Sequence, residues 1–116
     1  IGRVELLDEL QRRGATVDPL DAYRASIPEE STHLVDALER FNPDYVIFNS
    51  GSAARNLREL LGPERVSTLA KRTTFAAIGP IAAKSAEEAG MNVSIVPDRH
   101  RVPDLVDALV AFDAGR

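Results

Sequence analysis

The apolar positions of the chain predict short strands that alternate with amphipathic helices. Helical spacing covers residues 3–13, 29–41, 53–61, 64–70, 80–89 and 103–112, and short apolar runs cover 45–48, 75–78 and 93–96, with an extended segment starting at 15–17. Short buried strands separated by helices are typical of a parallel sheet covered on both faces. The pattern therefore predicts an α/β fold, a parallel sheet flanked by helices on both faces.

Composition narrows the class of protein. The 116 residues suit a single domain, the net charge is −4, and there is no cysteine. We therefore expect no disulfide, no thiolate metal site and a cytoplasmic location. The sequence has no basic stripe of the kind that indicates nucleic-acid binding. It also has no apolar run that approaches the roughly 20 residues of a membrane span. The opening Ile1-Gly-Arg-Val reads as the start of a helix, so we expect the chain to be a piece of a longer protein.

Small and polar residues follow two of the predicted strands. Ser50-Gly51-Ser52 comes after the apolar run Tyr45–Phe48, and Gly79-Pro80 comes after Phe75–Ile78. In an open α/β sheet, ligands bind beyond the carboxyl ends of the strands, where helix N-termini favour anions. Glycine also lets a ligand approach the backbone closely. Each junction taken alone is explained more simply as a helix cap or a turn, but the pair leaves both explanations open.

Other catalytic patterns are missing or uninformative. No dinucleotide, P-loop or nucleophile-elbow motif occurs, which disfavours a flavodoxin-like cofactor binder. His33 and His100 are isolated and are interpreted as solvated side chains rather than metal ligands. Tyr23, in the linker over residues 18–27, could donate a proton into a cleft, although spacing alone favours a tyrosine packed at a domain edge.

Several segments together resemble the uroporphyrinogen-III synthase family. The similar elements are Gly2–Val17 with Tyr23-Arg24, the strand and turn Asp44–Ala54, the Ala77–Ala83 and Glu88–Gly90 segments, and the closing helix Val102–Phe112. The resemblance implies the C-terminal half of a two-domain synthase with a flavodoxin-like fold. Residues 1–20 would then be the last helix and strand of the second domain, 21–27 the interdomain linker, and 28–116 most of the first domain. Packing of residues 3–18 against the remainder stays open as an alternative.

The resemblance also implies a reaction. The family cyclises hydroxymethylbilane, a linear tetrapyrrole polycarboxylate, to uroporphyrinogen III with loss of water and inversion of ring D. Such a hydro-lyase needs no metal or organic cofactor. Tyr23 matches the family's linker tyrosine and is the expected catalytic residue. The expected substrate-binding residues lie in the two turns: Ser50, Gly51, Ser52, Gly79, Pro80, Ile81 and Ala82.

Two positions depart from the family pattern. Asn49 and Ala82 stand where the family usually has threonine. Loss of a hydroxyl at Ala82 favours keeping a second hypothesis, a non-catalytic ligand-sensing or regulatory domain of a larger protein. The expected protein partner is the N-terminal half of the same protein. As an enzyme, the isolated 116-residue chain is expected to be inactive because the cleft needs both domains.

Overall fold

A computed structural model describes residues 3–16 and 28–115. Its helices and strands are α1 (Arg3–Arg12), α2 (Pro28–Phe41), β1 (Tyr45–Phe48), α3 (Gly51–Ala70), β2 (Thr74–Ala77), α4 (Pro80–Glu88), β3 (Val93–Ile95) and α5 (Val102–Ala114). The predicted linker 21–27, with Tyr23, lies outside the described residues. Ala15 and Thr16 belong to no strand, and the rest of the extended segment predicted there is also outside the described residues.

Strands β1, β2 and β3 form a parallel sheet in that order. The residues of β1 and β2 are mostly β-branched, aromatic or small and apolar, which suits strands buried between layers of helices. Phe75 and Ala77 pack into one core cluster, while Ala76 packs into the other, as the alternation of side chains along a strand requires. The predicted α/β fold with a parallel sheet is therefore confirmed.

One face of the sheet carries α2, α3 and α4. Their buried side chains surround Phe48 and Phe75, whose rings stack with centroids 6.0 Å apart. Helix α3 bends at Gly62, which has a φ of 77° and precedes Pro63. A residue with a side chain seldom adopts that φ, and proline cannot continue the preceding hydrogen-bond ladder. The span of α3 is thus two helical segments that meet at the non-helical Gly62, as the predicted helices 53–61 and 64–70 require.

The opposite face carries α1 and α5. Leu6 and Leu10 of α1 join Leu105 and Val106 of α5 in the second core cluster. Arg13 reinforces this contact by donating a hydrogen bond of 2.9 Å to Asp107, which raises the pKa of the guanidinium. Helix α1 therefore packs on the rest of the chain, the arrangement that the sequence left open. The assignment of residues 1–20 to a second domain stays a prediction.

Candidate functional site

The carboxyl ends of β1 and β2 lie side by side. Phe48 pairs with Ala77, and the N–H of Ile78 donates to the carbonyl of Phe48 at 3.0 Å. Helices α3 and α4 begin immediately after these two strands. Residues Ser50 and Gly79, the N-caps of the two helices, are therefore at the same edge of the sheet.

Ser50 caps helix α3. Its backbone is extended, and its hydroxyl accepts a hydrogen bond of 3.2 Å from the N–H of Ala53. The hydroxyl of Ser52 lies 3.3 Å from that of Ser50, and both residues are exposed. The cap interpretation of Ser50 is confirmed. The N–H groups of Gly51 and Ser52 precede the first donor of the helical ladder, so they have no acceptor within the helix.

Gly51 lies against helix α4. A Cβ at this position would be 2.8 Å from the hydroxyl of Ser85 and 3.3 Å from Nη1 of Arg55. The same Nη1 donates to the Ser85 hydroxyl at 3.1 Å. The space beside this glycine is therefore filled by side chains of the chain itself, and the first turn of α3 is held close to α4.

Gly79 has a similar neighbour from the third strand end. A Cβ on this residue would lie 3.2 Å from Cγ of His100, in the loop after β3. Pro80 occupies the first turn of α4, where its missing N–H costs no helical hydrogen bond. The loop after β3 therefore meets the junction between β2 and α4, and three strand ends contribute to one region.

Ile81 and Ala82 point to different environments. The Ile81 side chain is 79% exposed, whereas Ala82 is 3% exposed and belongs to the core cluster on the α3–α4 side of the sheet. Both N–H groups lie in the first turn of α4, before the ladder begins with Ala83 donating to Gly79. The Ala82 side chain is therefore part of the core and is not available to a ligand.

The structure brings together seven of the eight predicted site residues, and the eighth, Tyr23, lies outside the described residues. The seven are Ser50, Gly51, Ser52, Gly79, Pro80, Ile81 and Ala82. Whether these residues bind a substrate stays a prediction.

Sequence reasoning missed Arg55, Ser85 and His100. His100 was interpreted as solvated; it is exposed, but its ring also packs against Gly79. Its position in the loop that follows the third strand was the available signal, because all parallel strands end at one edge of the sheet. Nothing in the local sequence pointed to Ser85, whose partner lies on another helix.

Features away from the strand ends add nothing to this site. Among the described side chains, those of residues 5–16 and 35–115, no group of three or more histidine, aspartate or glutamate residues is placed to hold a metal ion. A groove of about 410 Å³ lies between α2 and α3, with Leu38, Leu61 and Arg72 among its lining residues. These residues belong to α2, to the second half of α3 and to the turn that follows α3. The groove therefore does not include the predicted site. No helix in the described part of the chain is long and apolar enough to cross a bilayer.

Comparison with known proteins gives consistent results. Residues 1–107 match the family model for uroporphyrinogen-III synthase HemD. A relative from Methanothermobacter thermautotrophicus, named "Putative uroporphyrinogen-III synthase", is 35% identical over 105 residues, which cover 86% of this chain and 41% of the relative. The solved uroporphyrinogen III synthase of Thermus thermophilus superposes with a TM-score of 0.62 at 22% identity, covering 72% of this chain and 34% of that structure. The chain thus spans less than half the length of the proteins that it matches.

Proposed function

The chain belongs to the uroporphyrinogen-III synthase family, and we propose that it is the C-terminal part of an enzyme that cyclises hydroxymethylbilane to uroporphyrinogen III. The reaction expels the terminal hydroxyl of the linear tetrapyrrole as water, and ring closure occurs with inversion of ring D. The N-terminal half of the same protein would supply the other wall of the cleft. A cytoplasmic location is part of this proposal.

The observation that best supports the proposal is the adjacency of two helix N-termini at one edge of the sheet. The N-cap residues Ser50 and Gly79 follow paired strands, and each opens a helix whose first N–H groups have no helical acceptor. Such groups, with the positive end of the helix dipole, favour carboxylates. A flexible substrate with many carboxylates needs several fixed anchors to adopt a cyclisable shape, and orientation of this kind can supply much of the catalysis.

The remaining chemical requirement is help for the leaving hydroxyl. We assign this role to Tyr23 on the basis of its match to the family's linker tyrosine. A phenol is a weak acid that can donate a hydrogen bond or a proton to the departing oxygen. Another ring of the same folded substrate then attacks the resulting electrophile. The protein's main task is therefore to hold the two ends of the linear tetrapyrrole close to each other.

A coupled assay tests the reaction. The complete protein is supplied with freshly made hydroxymethylbilane, and the products are resolved into isomer III and the isomer I that forms spontaneously. We expect isomer III from the complete protein and none from the 116-residue chain alone. Isomer I alone from the complete protein would reject the enzyme and favour the sensor or regulator, the alternative suggested by Asn49 and Ala82. Isomer III from the short chain would reject the claim that both domains are needed.

A further inference from the structure

Arg55 presents a cation at the first junction. It lies one turn into α3, and its Nη1 is 3.3 Å from the position that a Cβ of Gly51 would occupy. Gly51 is the first residue of the helix, directly after the carboxyl end of β1. Arg55 is exposed, so its guanidinium lies beside the predicted substrate turn without being buried beneath it.

Ser85 fixes the direction of this guanidinium. Ser85 is only 7% exposed, and its hydroxyl accepts from Nη1 of Arg55 at 3.1 Å. A buried hydroxyl is costly unless it has a hydrogen-bond partner, and Arg55 is the partner found for it. The absence of a side chain at Gly51 leaves room for both groups. One end of the arginine is therefore held between its own helix and α4.

The charge of Arg55 has no acidic partner in the part of the chain that the structure describes. Some other arginines there do have one: Arg13 pairs with Asp107, and Arg101 pairs with Asp104, both at 2.9 Å. No described carboxylate comes within 4.0 Å of the Arg55 guanidinium, whose hydrogen bond is to a neutral hydroxyl. An arginine has five N–H donors, so several stay available for an anion.

We propose that Arg55 binds a carboxylate side arm of the substrate and that Ser85 is a positioning residue for it. This inference rests on the proposed function. A guanidinium can donate two parallel hydrogen bonds to one carboxylate, which adds both attraction and direction. Ser85 holds Nη1 and thereby limits the rotation of the fork. The carboxylate would lie beside the first turn of α3, where the helix dipole adds to the attraction.

Arg58 provides a matched control on the same helix. It is one turn further along α3, and its Nη1 donates to the backbone carbonyl of Ala89 at 3.1 Å. Both arginines therefore tie α3 to α4. Only Arg55 does so at the N-terminal end of the helix, next to the strand ends. A purely structural role predicts the same behaviour for both arginines.

The test uses the complete protein with Arg55→Gln, Arg55→Lys, Ser85→Ala and Arg58→Gln. Isomer III formation gives kcat and KM, and fluorescence titration with uroporphyrin III, an octacarboxylate, gives a Kd. Loss of a charged hydrogen bond is expected to raise KM and Kd about ten- to hundredfold in Arg55→Gln, with kcat nearly unchanged. Arg55→Lys should recover part of this loss, because it keeps the charge but not the fork. Ser85→Ala should raise KM only a few-fold, and Arg58→Gln should leave it unchanged.

The outcomes separate the two proposals. If the wild type turns over and Arg55→Gln has the same KM and Kd as Arg58→Gln, the role of Arg55 is overturned and the proposed reaction is kept. Uroporphyrin binding that depends on Arg55, in a protein that makes no isomer III, would overturn the proposed reaction and keep the carboxylate site. A wild type that neither binds uroporphyrin nor forms isomer III would overturn both. Urea unfolding of each variant shows whether a change in KM accompanies a loss of stability.

Discussion

Gly51→Ala should reveal how closely α3 and α4 are packed at the candidate site. The new Cβ would stand 2.8 Å from the Ser85 hydroxyl, whereas ordinary contact begins at 3.4 Å. Either the two helices separate by about 0.6 Å, or the hydroxyl turns away and loses its hydrogen bond to Arg55. Because Ser85 is buried, it has little room to yield.

The size of the effect follows from two opposing contributions. Overpacking of this kind costs about 1–3 kcal/mol. Replacing glycine by alanine within a helix stabilises it by roughly 0.5–1 kcal/mol. We therefore expect Gly51→Ala to lower the free energy of unfolding by about 0.5–2 kcal/mol. In a Ser85→Ala background the nearest atom on residue 85 is its Cβ, at 3.5 Å, which is an ordinary contact. The same substitution should then be neutral or stabilising.

Urea unfolding of four proteins, followed by circular dichroism, measures this cycle. The wild type, both single variants and the double variant give a coupling free energy, which should be about 1–3 kcal/mol. Equal effects of Gly51→Ala in the two backgrounds would show that the Ser85 hydroxyl is not the obstacle. Greater stability of Gly51→Ala in the wild-type background would show that the helices are not tightly packed at this point.

Substitutions at two other positions test one structural and one catalytic assignment. Thr73 is buried, and its hydroxyl donates to the carbonyl of Pro43 at 3.0 Å. Thr73→Val should therefore lower the free energy of unfolding by about 1–3 kcal/mol, whereas Thr73→Ser should retain most of the wild-type stability. Equal stability of the two variants in urea would contradict the role of the hydrogen bond. Tyr23→Phe should reduce kcat for isomer III formation at least about tenfold with a smaller effect on KM, and an unchanged kcat would remove Tyr23 from the mechanism.

Much of the fold was predictable because its signals are local. The apolar run Tyr45–Phe48 is bounded by turn-forming and polar residues, and the strand has the predicted limits. Helix α3 begins two residues earlier than predicted, since Gly51 and Ser52 are poor helix formers whose place is decided by the Ser50 cap. The break at Gly62 was predicted, but the sequence could not show that the second helical segment follows the first without an intervening loop.

The candidate site was predictable only at the level of the backbone. Parallel strands end at one edge of a sheet, which is enough to bring Ser50 and Gly79 together. The contacts of Gly51 with Ser85 and of Gly79 with His100 join different strand–helix units. Such contacts depend on how helices and loops pack in three dimensions, and no local pattern encodes that packing.

These contacts also change the interpretation of the two glycines. Both were predicted to allow a ligand to approach the backbone, yet the space next to each is occupied by a side chain of the same chain. The serine and histidine neighbours are sufficient to explain why a side chain is disfavoured there, so glycine at these turns is weak support for a ligand. Support for binding comes instead from the helix N–H groups and from the unpaired charge of Arg55 among the described residues.

The same reasoning applies to the departure from the family pattern at Ala82. Its side chain is 3% exposed and contributes to the core, so a hydroxyl in that place would be covered by α4 and its neighbours. The N–H of Ala82, which precedes the helical ladder, is unaffected by the identity of the side chain. Replacement of threonine by alanine at this position therefore removes no exposed donor from the site as it is packed here. The anchoring of carboxylates by backbone groups is compatible with this departure, and the catalytic hypothesis does not depend on a hydroxyl at position 82.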